Sequence, residues 1–263
     1  MAVSMAELVA DLRAETRDLE GLLAPLRPAR WDTPTPAPGW AIRDQVSHLA
    51  WFDDAAVRAV TAPDDFRAEA AAMLGGDPGP DDVAARHRSM SVPALRDWFA
   101  AARARLIEVL GGLDAKDRIP WYGPDMSAVS FATARLMETW AHGQDVADAV
   151  GAVRTPTDRL RHVAQIGVRA LPYSFTVHGR AVPAEPVRVE LTLPSGAPLA
   201  LGPDPAGNVV RGAALDFCLV VTQRRHPADV ALEVTGPVAA DWLAIAQAFA
   251  GPPGAGRRPG QFR

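Results

Sequence analysis

Residues 133–149 read TARLMETWAHGQDVADA and carry Glu138, His142 and Asp145 at spacings of four and three. On an α-helix, at about 100° per residue, these three positions fall within roughly 60° of one another. Phe131, Ala134, Ala141 and Ala149 share the same face. Side chains four apart have Cβ atoms about 5–6 Å apart, so Glu138 and His142 can both reach one cation at ligand distances of about 2.0–2.2 Å. Two protein ligands do not complete such a site, and a third has to come from another element. Among the remaining histidines (His48, His87, His162, His178 and His226), His48 is the best-placed candidate, because it sits on an earlier helix. Three nitrogen or oxygen ligands leave at least one coordination position open, the arrangement of a catalytic divalent metal. On the same helix face, Asp145 and Arg135 read either as groups that orient the ligands or as part of an exposed ion-pair ladder. Spacing alone leaves both open.

The elements that must hold these residues follow from apolar periodicity. Ser4 and Glu7 form a capping-box pattern ahead of Leu8, Leu12, Leu19, Leu22 and Leu23, and Pro25 closes that helix. RPARWDTPTPAPGW is too rich in proline for helix and reads as a fixed extended connection. A second helix runs from Ile42 to Ala62 on the stripe Ile42, Val46, Leu49, Ala50, Val57 and Val60. His48 lies off that stripe, beside Asp44, Trp51 and Ala55, and from its own helix alone reads as a surface residue, although Trp51 and Ala55 form a second, narrower apolar strip that could face another helix. The stretch GGDPGPDD is a break. Leu95, Phe99, Ala102, Leu106 and Val109 mark a third helix that stops at Gly111 and Gly112. After a loop containing IPWYGPDM comes the helix of Glu138 and His142. Four amphipathic segments joined by loops predict a four-helix bundle. Trp121, Tyr122 and Met126, in the loop before the fourth helix, are candidates for lining a substrate pocket, or for ordinary aromatic packing.

Beyond Thr155 the pattern shifts to α+β. Leu160 to Leu171 is helical; PVRVELTLPSGAPLALG alternates with period two around a turn; NVVRG and DVALEVTG read as strands; Ala213 to Thr222 and Ala239 to Phe249 read as helices. The expected organisation is therefore a helical domain over 1–154, a small α+β domain over 155–252 and a loosely held tail over 253–263.

Composition narrows the function classes. Over 263 residues the chain is 48% hydrophobic and 22% charged, as ordinary globular domains are. A net charge of −4 leaves no basic footprint for nucleic acid. A single cysteine, Cys218, lies in the apolar run ALDFCLVV, where it reads as a core residue; no intrachain disulfide can form, as fits a reducing compartment. The apolar runs fall short of the roughly 20 residues a bilayer needs, and MAVSMAELVADLRAE is not a signal peptide. These features predict a cytoplasmic protein with neither nucleic-acid nor membrane partners.

GWAIRDQVSHLAWFDDA and ARLMETWAHGQDVADAVG, taken together, resemble the DinB-like superfamily, and more closely the actinobacterial mycothiol-dependent maleylpyruvate isomerase family of metal-binding proteins. The resemblance implies that the histidine of G-W-x-x-R-D-x-x-x-H-L joins the glutamate and histidine of E-x-x-x-H around a divalent metal, typically zinc. These map onto His48, Glu138 and His142, with nickel or iron(II) as alternative metals. Trp40, Asp44 and Asp145 match the surroundings. ALDFCLVVTQRRHPADVALEVTGPVAADWLAIAQAFAG is similar to the family's C-terminal domain, which is related to sterol carrier proteins. The implied fold is a DinB-like four-helix bundle followed by a sterol-carrier-like α+β domain. In the family's isomerase an arginine of the C-terminal domain reaches the metal pocket, and the matching stretch here is TQRRHPAD. Gln223 stands where the usual pattern has glycine, so that Arg224 and Arg225 both remain candidates, with Arg224 favoured. The implied activity is that of a metal-dependent isomerase or transferase using mycothiol on a small electrophile, carboxylate-bearing if the arginine binds it. Three alternatives remain: a metal-hydroxide hydrolase-like enzyme, a non-enzymatic metal-binding or stress-response module, and a carrier whose sterol-carrier-like half binds a small apolar ligand. The implied partners are a small substrate and the low-molecular-weight thiol, in a monomer or homodimer.

Overall fold

The computed structural model describes residues 3–74 and 80–262. The break expected at GGDPGPDD falls largely on 75–79, outside the described residues. The chain divides into two compact units, Met1–Arg154 and Thr155–Arg263.

The first unit is built on four long helices: α1 (Met5–Leu23), α2 (Ile42–Thr61), α5 (Val92–Gly111) and α6 (Ala128–Val150). Each of these starts for a local reason. Ser4, Ser91 and Ser127 accept the N–H of Glu7, Ala94 and Ser130 at the ends of α1, α5 and α6, a cap worth about 1 kcal/mol. At α2 the cap is indirect: Asp44 in the first turn accepts the Ala41 N–H at 2.8 Å. Helix α6 ends at Gly151, which takes φ 71°, the left-handed geometry a glycine supplies without strain. Helix α2 packs against both α5 and α6, and α1 packs against α6 and α5. Leu19, Leu23, Trp31, Ile42, Val46, Leu49, Leu95, Phe99 and Val146 form one apolar cluster between them.

Several short elements departed from the sequence expectation. RPARWDTPTPAPGW is not extended throughout, because Pro28–Asp32 forms a 3-10 turn that buries Trp31 completely. Two further helices, α3 (Pro63–Leu74) and α4 (Pro80–Arg86), lie between α2 and α5, and β1 (Arg118–Ile119) pairs antiparallel with β2 (Met126–Ser127) to close the loop before α6.

In the second unit, α7 (Leu160–Arg169) and α8 (Leu171–Val177) precede the expected hairpin, β3 (Val187–Thr192) with β4 (Pro198–Leu201). β5 (Asn208–Ala213) pairs parallel to β3, and β6 (Glu233–Thr235) antiparallel to β5, giving the order β4-β3-β5-β6. Helices α9 (Ala214–Val221) and α10 (Pro237–Ile245) complete it. Val189, Val210, Phe217, Cys218, Val221 and Trp242 are fully buried, and burial pushes the Cys218 thiol well above its ordinary pKa. Segment 253–262 is held by contacts: the Gly260 N–H donates to the Asp229 carboxylate at 2.7 Å, and the Phe262 ring lies 4.5 Å beneath the Arg225 guanidinium. Among the described residues no helix is long and apolar enough to cross a membrane.

Candidate metal centre

Helices α2 and α6 bring His48, Glu138 and His142 together, with one ligand atom from each lying within 4.8 Å of the others. Glu138 Oε2 stands 3.1 Å from His142 Nε2 and 3.7 Å from His48 Nε2. The two imidazole rings are 4.4 Å apart, centroid to centroid. Donors around a tetrahedral cation at 2.0–2.2 Å stand about 3.4 Å from one another, so the observed spacings fit a divalent metal of the zinc class. The chemistry of the set fits too: two imidazole nitrogens and one carboxylate oxygen converge, and none brings a permanent donor hydrogen to the others.

His48 is not the surface residue its own helix suggested. It is only 9% exposed. The second strip of α2, the one carrying Ala55, is itself an interface, and Ala55 is fully buried. Burial, reinforced by the neighbouring His142, lowers the His48 pKa from 6.5 to about 4, against the pull of Glu138. Burial also pushes the Glu138 carboxyl up, but hydrogen bonds to His142 and His48 and their charges outweigh it and hold the group well below its ordinary range. At neutral pH these two side chains therefore stand ready as ligands without first losing a proton.

The residues around the triad have distinct roles. Trp40 covers both rings, nearly parallel to His142 (14°, 5.9 Å) and tilted on His48 (5.2 Å). The Arg-Asp pair that follows Trp40 holds this turn in place. Asp44, 2% exposed, accepts Arg88 Nε at 2.9 Å as well as the Ala41 N–H, and Arg43 pairs with Asp32 at 2.7 Å. On the other side, Phe52 lies 4.5 Å from the His48 ring and carries an aromatic wall onward to Trp51, Trp121 and Tyr122. Burial raises the Tyr122 phenol to about 12. Trp121 and Tyr122 thus adjoin the triad through Phe52. Met126 instead belongs to β2, opposite Ile119.

Arg135 and Asp145 are buried (3% and 0% exposed), so the exposed ion-pair ladder is ruled out. The Arg135 guanidinium donates to Asp53 at 2.9 Å rather than to a triad member. Arg103 donates to the same carboxylate at 2.6 Å and to Thr16 at 2.6 Å, so this cluster joins α1, α2, α5 and α6. Sequence reasoning missed Gln45, Asp53, Phe52 and Arg103. For Gln45 and Phe52 the signal was present, since they lie three before and four after His48 on its own helix face.

Arg224 and Arg225 belong to the second unit, just after α9. Gln223, where the resemblance leads one to expect glycine, takes φ 58°, the left-handed conformation. Its side chain donates to the Ala246 carbonyl at 3.1 Å and helps hold that turn. Arg224 Nη1 donates to the Thr222 carbonyl at 2.6 Å, and Arg225 Nη1 to the Arg224 carbonyl at 2.7 Å.

Comparison with known families decides the ancestry of this arrangement. The family described as the mycothiol maleylpyruvate isomerase N-terminal domain matches residues 12–147, a span that contains all three triad residues. The chain belongs to that family. Two uncharacterized proteins of Mycobacterium tuberculosis, from two strains, are each 49% identical to it over 251 residues, covering 95% of this chain and 97% of theirs. A crystal structure of the mycothiol-dependent maleylpyruvate isomerase superposes with a TM-score of 0.58 at 19% identity, covering 85% of this chain and 90% of that one. A histidine-to-alanine mutant of that isomerase superposes equally well, with a TM-score of 0.58 at 18% identity over 88% and 93% of the two chains. At such identity the likeness speaks for the fold: this family member shares its mixed helical and sheet architecture, with the helical part first.

Proposed function

We propose that this chain is a metal-dependent enzyme that uses mycothiol as thiol cosubstrate to isomerise, or transfer sulfur onto, a small electrophile. The observation that carries the reading is the convergence of His48 Nε2, His142 Nε2 and Glu138 Oε2 in a half-buried site, set in a chain of the mycothiol maleylpyruvate isomerase family. Zinc is the metal the donor set favours, because nitrogen and carboxylate ligands without cysteine suit it and leave a position open. When bound there, a divalent cation supplies the Lewis acidity that turns a weakly acidic thiol into thiolate at neutral pH.

The residues of the chain supply the rest. His48, Glu138 and His142 hold the cation with a single compensating negative charge, leaving the centre attractive to anions. Trp40 and Phe52 flank the imidazoles and limit water at the reacting position. The aromatic wall of Trp51, Trp121 and Tyr122 offers the apolar side of a substrate pocket. Arg224 is assigned the substrate carboxylate, bidentate where geometry permits. Arg225 remains the alternative candidate for that role. The second unit is read as the sterol-carrier-like domain and the protein as cytoplasmic.

Two measurements test this. Elemental analysis of protein purified without added metal is expected to find about one divalent ion per chain in the wild type and almost none in His48→Ala. Calorimetric titration of the zinc-loaded protein with mycothiol is then expected to release heat, and none after metal removal. Equal metal in both proteins would sink the metal site; metal without a mycothiol signal would remove the thiol and leave a metal-hydroxide hydrolase as the better account.

A further inference from the structure

Gln45 is completely buried, lies on α2 one turn before His48, and is hydrogen-bonded at both ends of its amide. The direction of every bond in this chain is fixed by its far end. The Trp40 carbonyl oxygen has no hydrogen and can only accept; it takes the Thr35 backbone N–H at 2.8 Å and the Thr35 hydroxyl at 2.9 Å. A hydroxyl has one hydrogen. With that hydrogen committed to Trp40, Thr35 Oγ1 has only lone pairs to offer Gln45, 2.8 Å away. The Gln45 group facing Thr35 is therefore the NH2, and its carbonyl oxygen faces His142 Nδ1. To bond that carbonyl, Nδ1 has to carry a hydrogen. The neutral imidazole that a metal requires has only that one, so Nε2 is the atom that offers its lone pair to the shared centre.

We propose that Gln45 is a positioning residue for the centre: through a hydrogen-bond chain anchored on the Trp40 carbonyl, it commits His142 to ligate through Nε2. The inference rests on the metal-centre reading above and extends it to the charge of the site. Ligating histidines often donate to a carboxylate. Here the acceptor is a neutral amide, so the centre keeps one more unit of positive charge than a carboxylate in its place would leave. A centre built this way favours an anionic ligand at its open position, such as a thiolate. Gln45 touches neither substrate nor metal; it acts through His142.

The test uses the full-length protein with zinc, its affinity measured by chelator competition, and long-range nitrogen–proton spectra of the histidine rings. Gln45→Met matches the side chain in length but offers no strong acceptor, and is expected to weaken zinc binding about 10–100-fold. Gln45→Glu restores the acceptor and is expected to return zinc affinity to within about threefold of wild type, while weakening the binding of azide, a probe anion, to the cobalt-substituted centre about tenfold, because a negative charge now sits behind the ring. Thr35→Val removes the anchor and gives a smaller zinc loss, and it decides the matter should either Gln45 variant fail to fold. In zinc-loaded wild type the His142 ring is expected to carry its hydrogen on Nδ1. A ring protonated on Nε2 would overturn the proposal, as would a Gln45→Met protein that binds zinc within twofold of wild type. Wild type that binds zinc no better than His48→Ala would instead overturn the metal centre itself, and this inference with it.

Discussion

Two buried polar clusters lie about one helical turn apart on the same pair of helices, and they are opposites. Around Asp53, one carboxylate at zero exposure accepts from Arg103 and Arg135, and Arg103 also reaches Thr16, so that every contact joins a donor to an acceptor. Around Glu138, the three converging atoms are a carboxylate oxygen and two imidazole nitrogens, each able to offer a lone pair to one cation. Burial differs, Asp53 being at zero exposure and the Glu138 side chain at 20%, and so does complementarity. The first cluster ties α1, α2, α5 and α6 together through donor–acceptor bonds. The second is an electron-rich site that a cation would complete. Buried charge therefore marks a candidate metal site in this protein where lone pairs, not guanidinium donors, converge on one point.

The largest expected effect separates the two. Asp53→Ala leaves two guanidiniums buried without their shared partner, and such a loss costs about 3–5 kcal/mol. Urea unfolding of the metal-free protein should show it; a change under about 1 kcal/mol would mean the cluster is not the tie between helices described above. His48→Ala should do the reverse. Metal affinity should fall by about 100-fold or more, while metal-free stability changes by no more than about 2 kcal/mol, the size of ordinary lost packing. A comparable collapse of stability in both variants would erase the distinction between the clusters.

Acid sharpens the contrast. In the folded metal-free chain His48 titrates near 4, whereas unfolded it returns to 6.5. As pH falls through that window the unfolded chain takes up a proton and the folded chain does not, so stability present above 6.5 is lost on the way down to about 4. Glu138, depressed below 4.5, adds a loss in the same direction at lower pH. The His48 share amounts to about 2–3 kcal/mol. Urea midpoints measured between these pH values should therefore fall more steeply in wild type than in His48→Ala; parallel slopes would show that His48 is not held neutral. The smallest effect is spectroscopic. The difference in near-ultraviolet titration between wild type and Tyr122→Phe should have its midpoint near 12, not near 10, if the aromatic wall beside the triad is as dry as its packing indicates.

The long helices were legible because their apolar residues recur with helical period and their ends carry serine caps or glycine stops. The β3–β4 hairpin was legible because a period-two pattern flanks a proline-glycine turn. Strand β5 was legible as NVVRG, but its parallel pairing to β3 was not, since strand order depends on contacts distant in sequence. Helix α3 is dominated by alanines and charges and shows no apolar stripe, while α4 and the two-residue β1–β2 ladder are too short to impose a period. Within the site, Glu138 and His142 announce themselves by spacing on one helix. His48 read as a surface residue on the main stripe of α2; the narrower strip of Trp51 and Ala55 hinted at a second covered face, and only its burial in the fold decides it. Asp53 and Arg103 carry no signal of pairing until α2 and α5 are placed side by side. Gln223 was noticed only as a departure from the family pattern; the backbone explains the position, because φ 58° is a conformation glycine adopts freely and glutamine does not.

The sole cysteine has a practical consequence for bench chemistry. Cys218 sits wholly inside the second unit and burial suppresses its ionisation, and it is the reactive ionised form that alkylating reagents and mixed disulfides require. Incubations with sulfhydryl cofactors and electrophiles will accordingly report on the added sulfur, with the polypeptide's own contribution silent for as long as the fold holds.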